Sequence, residues 1–248
     1  MKWRSRALRW AAIAVLLIAW QIAAAGASAY IAPPSRVFTT GAAYLADSET
    51  LGGLGVTTVR FLAAFAVTAL VGVPLGLALG RAGRLAPPAR DVFTVLYTLP
   101  LVPFYPLFVL WLGLGFRSEV AFGAVHGVVP VVLGTMAAAS RVDGTLVTAA
   151  RSMGASRGRT LTMVVFPATV PDVVGALRVG AALSLLGVLL AELMVSVDGV
   201  GHVIAALIAN LRGAEANAVV LAVCAGAIAV NVALAAAERR LSRWRERA

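Results

Sequence analysis

Between Arg60 and Arg81 the chain carries twenty consecutive residues without a charge. At about 1.5 Å per residue they make a helix of roughly 30 Å, the thickness of a bilayer's hydrocarbon core. Hydrocarbon offers backbone amides no partner, so such a run is tolerated only as a helix or a closed barrel, and a run of this length is read as a helix. Comparable stretches recur along the chain. The sequence predicts spans at about 10–30, 60–80, 92–116, 120–140, 173–197 and 216–238. They form one transmembrane domain, 10–240, between a basic N-terminal tail, 1–9, and a basic C-terminal tail, 241–248. With 60% hydrophobic residues, 13% charged and a mean hydropathy of +0.91, the composition lies outside that of soluble domains. The expected fold class is an all-α integral membrane protein with about six transmembrane helices.

The formal charge of +10 invites a nucleic-acid reading, but the arginines sit at the ends of apolar runs and not among aromatics. All but four of the 21 basic residues fall on one side of the predicted topology; the exceptions are Arg36, Arg60, Arg117 and Arg212. Basic loops stay in the cytoplasm, so both termini and the segment after Arg141 are placed inside. Arg60, Arg117 and Glu119 are then read as external flanks of spans, and 31–55, with its prolines and glycines, as an external connection without a continuous helix. A short amphipathic helix is expected there from Ser35 to Leu45. Ala27-Ser28-Ala29 has the small-residue pattern of a signal-peptide cleavage site, but the segment before it reaches the ~20 residues of a span and is read as one.

Within the spans a few residues break the apolar pattern. Pro100, Pro103 and Pro106 follow one another at three-residue spacing, which no regular helix accommodates. Either this segment faces the bundle interior and lines a wet cavity, or its helix begins only after Pro106. Glu192 lies near the outer end of its span, where it serves as a helix-end contact or gate, or simply reaches the interface. These four residues are the pathway and gate candidates. His126 is read as a hydrogen-bonded packing residue, and His202 has no metal-site spacing to it, so no metal is expected. Cys224, the single cysteine, excludes an intrachain disulfide.

The segment 141–172 is the most informative. Asp143 or Thr145 is placed to cap a short helix running to Met153, and Gly154 supplies a left-handed stop from which a second piece starts near Ser156. Pro167 is expected to close that second piece. The prediction is a helix-turn-helix knob projecting from the membrane.

The run Thr148-Ala149-Ala150-Arg151-Ser152-Met153-Gly154-Ala155, with Phe166-Pro167 downstream, resembles the "EAA" loop of the permease subunits of ATP-binding-cassette importers. Further matches are Ile31-Ala32-Pro33-Pro34-Ser35, Gly72-Val73-Pro74-Leu75-Gly76, the stretch 106–115, and Ala191-Glu192 followed by Gly199-Val200-Gly201. In that order they are similar to the nitrate/sulfonate/taurine group, over roughly Ala11 to Arg240. The resemblance implies a type I importer permease fold in the bacterial cytoplasmic (inner) membrane. It implies that Thr148, Ala149, Ala150, Met153, Gly154, Ala155, Arg157 and Pro167 belong to a coupling helix and its surroundings, gripped by a cytoplasmic ATPase dimer. It also implies a second permease protomer, expected to be identical, and an external substrate-binding protein. Thr148 stands where the family usually has glutamate.

The chain has no phosphate-cradling Gly-x-x-x-x-Gly-Lys-Ser/Thr and no nucleophile elbow. It is therefore expected to be no enzyme and to hold no cofactor, ATP and magnesium belonging to the partner ATPase. The implied solute is a small anion such as a sulfonate, taurine or nitrate, with a pyrimidine or thiamine-precursor type solute as the alternative. A secondary transporter would need acidic coupling residues within the spans, of which Glu192 is the one present, and a membrane enzyme would need a convergent set of titratable groups.

Overall fold

The computed structural model describes residues 2–25 and 32–242. The Ala27-Ser28-Ala29 pattern, the end of the first predicted span and the last six residues of the tail lie outside the described residues. In chain order the helices are α1 (Lys2–Ala25), α2 (Pro34–Leu45), α3 (Ser48–Gly80), α4 (Ala86–Thr98), α5 (Tyr105–Leu112), α6 (Phe116–Ser140), α7 (Gly144–Ser152), α8 (Arg157–Thr160), α9 (Phe166–Met194), α10 (Val200–Ala209) and α11 (Gly213–Ser242). Among the described residues four helical stretches are long and apolar enough to cross a bilayer: α3, α6, α8 continuing into α9, and α11. The α4–α5 pair, bent by 80°, makes a fifth if counted as one span. In α1 the apolar described stretch is Ala14–Ala24.

The centre is a triple of α3, α6 and α9, and small residues set how close they come. A Cβ on Gly76 would lie 2.8 Å from the Val132 carbonyl, and one on Gly80 2.7 Å from the Met136 carbonyl, so α3 and α6 touch backbone to backbone. At the α6–α9 contact a Cβ on Gly123 would meet the Ser184 carbonyl at 2.9 Å. Thr68, buried between these helices, reaches the Ala124 carbonyl at 3.2 Å and the Ser184 hydroxyl at 3.0 Å, so these two buried hydroxyls satisfy each other across the seam. Outside this triple, α11 packs on α9 and α2, while α4 and α5 pack on α6. The apolar α10 sits at one end with Val200, Val203, Ile204 and Leu207 against Ala216 and Val219 of α11.

Three sequence expectations are corrected. The external connection was expected to lack a continuous helix, yet Gly52, Gly53 and Gly55 lie inside α3, which starts at Ser48 under the Asp47 cap and runs unbroken through Pro74. Gly53 is there for contact: its missing Cβ leaves room for the Gly199–Val200 backbone. Pro167 does not close a helix. A five-residue π turn, Leu161–Val165, joins α8 to α9, and Phe166 N–H donates to the Leu161 carbonyl. This wider turn leaves the proline in the first turn of α9, where no N–H is needed. The chain between α6 and the fifth span is correspondingly shorter than 141–172. Of the two readings of the proline-rich segment the interior-facing one is corrected: the chain breaks at Leu99–Leu101, and Pro100, Pro103 and Pro106 are exposed and not turned into this chain's interior. Helix α5 starts at Tyr105 with Pro106 in its first turn, close to the alternative of a helix beginning after Pro106. The buried anchor is Tyr105, packed on Phe122 with ring centroids 5.0 Å apart.

Candidate functional site

At one end of the bundle α6 and α9 are joined by the α7–α8 hairpin. Asp143 Oδ1 accepts from Thr145 N–H at 2.9 Å and starts α7. The cap contact holds the carboxyl below its ordinary range, through that backbone N–H first and the Thr145 hydroxyl second. Val147 and Ala150 turn inward, Val147 joining Leu77, Ala139 and Val165 in one apolar cluster. Thr148, Ala149, Arg151 and Met153 face out, Met153 with 83% of its surface accessible. Thr148 donates its hydroxyl hydrogen back to the Gly144 carbonyl at 3.0 Å. Gly154 has φ +85°, and the reversal is closed by Gly154 N–H to the Arg151 carbonyl and Ala155 N–H to the Ala150 carbonyl. Ser156 caps the next turn by accepting from Arg159 N–H at 3.3 Å. Thr148, Ala149, Met153, Gly154, Ala155 and Arg157 thus share one knob, Ala150 is its buried foot, and Pro167 lies beyond it in α9.

The opposite end holds a cluster that reading along the sequence had dispersed. Arg60, expected as an external flank, is 3% exposed within α3. Its Nε meets Glu119 Oε2, its Nη1 meets Glu192 Oε1 at 3.0 Å, and its Nη2 meets Asp198 Oδ1. Glu119, expected at an external turn, is fully buried in the first turn of α6 and accepts from the Ser196 hydroxyl at 2.8 Å. Glu192 does not reach an interface. It accepts from Thr57 Oγ1 at 2.7 Å and from Gly201 N–H at 2.9 Å, while Thr57 Oγ1 accepts from Val200 N–H at 2.8 Å. Glu192 and Thr57 therefore cap α10, placing a carboxylate at a helix N-terminus. Gly199 has φ +90°, and a Cβ there would run into Glu192 and Arg60. Sequence reasoning identified Glu192 but missed Arg60, Glu119, Asp198 and Thr57; the signal was that an ionised group within a span needs a partner.

Between the two ends, a cavity of about 330 Å³ lies at the α4–α5 break, lined by Leu96, Tyr97, Leu99, Leu101, Val125 and His126 among others. His126 Nδ1 pairs with the Phe122 carbonyl at 2.9 Å, and its ring packs edge-on against Phe122. Midway along α9, Arg178 bridges to α11, donating to Glu238 at 2.7 Å and to Asn231 at 2.8 Å. Among the described residues no three His, Cys, Asp or Glu side chains are grouped to hold a metal.

A helical bundle with several bilayer-length helices, a helical knob at one end and an ion-paired far end defines a multi-pass membrane subunit. Residues 72–247 match the family described as the binding-protein-dependent transport system inner membrane component, and the chain belongs to that family. It is similar to the taurine transport system permease protein TauC of Escherichia coli (strain K12), 26% identical over 94% of this chain and 87% of that protein. The nitrate import permease protein NrtB of Synechocystis sp. (strain ATCC 27184 / PCC 6803 / Kazusa) is 27% identical over 78% of this chain and 74% of its own length. The putative aliphatic sulfonates transport permease protein SsuC of Bacillus subtilis (strain 168) is 27% identical over 94% and 85%. The chain is a multi-pass inner-membrane permease subunit of an ATP-binding-cassette importer of this type.

Proposed function

We propose that the α7–α8 knob is gripped by a separate cytoplasmic ATPase, that two copies of this chain form the pathway, and that an external binding protein delivers a small anion to it. The observation that carries the ATPase contact is the knob itself: a capped helix with buried feet, Val147 and Ala150, and an exposed crest at Thr148, Ala149, Met153 and Arg157. Closure of two ATPases around ATP shifts the population toward an outward-open pathway only through differential contact with α7, since a partner equally bound in both states shifts nothing. The distribution of arginines supports a cytoplasmic knob with both termini on the same side. ATP and magnesium belong to the ATPase, and this chain binds no cofactor.

The exposed α4–α5 prolines support a pathway completed by a second protomer, because broken backbone at membrane depth needs protein or water against it. The relatives' names, taurine, nitrate and aliphatic sulfonates, support a small anion as solute. The test is to co-purify the chain with its candidate ATPase in lipid and add binding proteins loaded with taurine, nitrate or an alkanesulfonate. Stimulated ATP hydrolysis by one of them is expected, and failure of the ATPase to associate would overturn the reading.

A further inference from the structure

The Arg60 cluster does something packing alone does not require. One guanidinium is shared by three carboxylates from three places in the chain: Glu119 at the start of α6, Glu192 near the end of α9, and Asp198 in the loop to α10. Two of the three are fully buried, and Thr57 of α3 adds a further link to Glu192 and to the first turn of α10. Arg60 lies roughly 25 Å along α3 from Leu77, which packs under α7. The α7–α8 hairpin joins α6 to α9 at one end of the bundle, and Arg60 fastens the same two helices to α3 at the other.

Between these points the α3–α6–α9 contacts are small-residue seams with a single neutral polar link, Thr68 to the Ala124 carbonyl and the Ser184 hydroxyl, so they resist sliding mainly through van der Waals fit. A displacement of α7 would splay α6 from α9 unless their far ends were fixed. The clamp is also continuous with the cavity at the α4–α5 break. Glu119, Phe122 and His126 follow at three- and four-residue intervals on one face of α6. Phe122 holds Tyr105 and Phe108 of α5, and His126 lines the cavity.

We propose that Arg60 is a positioning residue for transport: by bridging Glu119, Glu192 and Asp198 it makes α3, α6, α9 and α10 one body, so that movement of α7 reaches the cavity at the α4–α5 break. This rests on the permease reading. Arg60 is 3% exposed and the anions around it are the chain's own Glu119, Glu192 and Asp198, so it is enclosed by carboxylates and not open to an anionic solute. Asp198 is the leg that can be removed gently, because its side chain is 51% accessible while those of Glu119 and Glu192 are buried.

Two measurements separate the clamp from the permease reading. In lipid nanodiscs, a V203C reporter in a C224S background reads the buried face of α10 against α11 by maleimide labelling. Asp198→Asn is expected to speed labelling about tenfold, the scale of one lost charged hydrogen bond, and Arg60→Gln, which takes the cation from two buried carboxylates as well, by more than that. Unchanged labelling in Asp198→Asn would overturn the clamp whether or not Arg60→Gln folds.

In the complex with the ATPase, both variants are expected to keep basal ATP hydrolysis and lose most of the stimulation by loaded binding protein. Arg60→Lys, a point charge without the fork, is expected to recover only part of it. If basal and stimulated rates fall together in assembled Asp198→Asn complexes, Arg60 is a structural residue only and the proposal fails. If the unsubstituted complex shows no stimulation, the proposed assembly with the ATPase and binding protein fails, and the labelling still decides the clamp.

Discussion

At the scale of single residues, the sharpest constraints sit where a side chain has no room or a charge has no water. A Cβ on Gly127 would fall on the Ser184 and Thr68 hydroxyls, the polar pair that closes the α3–α6–α9 seam. Gly127→Ala is expected to destabilise the chain by about 1–3 kcal/mol, the usual cost of overpacking, read as a lower unfolding midpoint in lipid or detergent. Arg60→Ala leaves two buried carboxylates without their cation, and breaking a buried pair from one side costs about 3–5 kcal/mol; the same unfolding assay checks it. The sequence signalled these two sites unequally. Small residues within a long apolar run signal close helix packing, and Gly72 and Gly76 of the matched Gly72-Val73-Pro74-Leu75-Gly76 stretch both lie against α6. Arg60 was misread because a charge at the edge of twenty uncharged residues is what a topology marker looks like. Its partners are 59 to 138 positions away, and reading the chain in order pairs only near neighbours.

At the scale of elements, the α7–α8 knob was legible because each feature is local: Asp143 as cap, Gly154 as left-handed stop, Ser156 as the next cap. The π turn before Pro167 was not, since it is set by how α9 docks on the bundle and leaves no pattern in the sequence. Gly154 has open space around the position of a Cβ, so Gly154→Ala pays only the left-handed backbone cost of about 1–2 kcal/mol. Weaker co-purification with the ATPase is expected, without loss of the chain's own stability beyond that amount. The pH dependence of docking follows from Asp143, whose carboxyl lies below its ordinary range. A depressed folded value contributes stability that is present above the unfolded value, about 4, and is lost as pH falls through the folded value. Docking is therefore expected to be flat above about pH 5 as far as this cap is concerned. Asp143→Asn keeps a capping oxygen without a charge and removes the acid-side decline, which a pull-down across pH would show.

At the scale of the whole molecule, the apolar surface divides into two kinds. On α11 it is a regular helix with Val220, Leu221, Ile228 and Val232 exposed. Away from its two ends the backbone groups are satisfied within the helix, so lipid can cover it. On α4 and α5 it includes Val95, Leu110 and Trp111, and also the Leu99–Leu101 break, where the chain leaves helical geometry. Lipid cannot satisfy that backbone, so this face needs protein or water against it. Two copies meeting along α4–α5, with α11 outermost, meet both requirements and put the cavity beside His126 near the axis of the pair. Cys224, exposed on α11, serves as a native reporter of the lipid side. Bifunctional thiol reagents are expected to leave the unsubstituted chain monomeric on denaturing gels, and to cross-link a Leu110→Cys variant in the C224S background into dimers. Cross-linking through Cys224 with none through position 110 would place the contact on α11 instead, and the α4–α5 break would then need water alone to satisfy it.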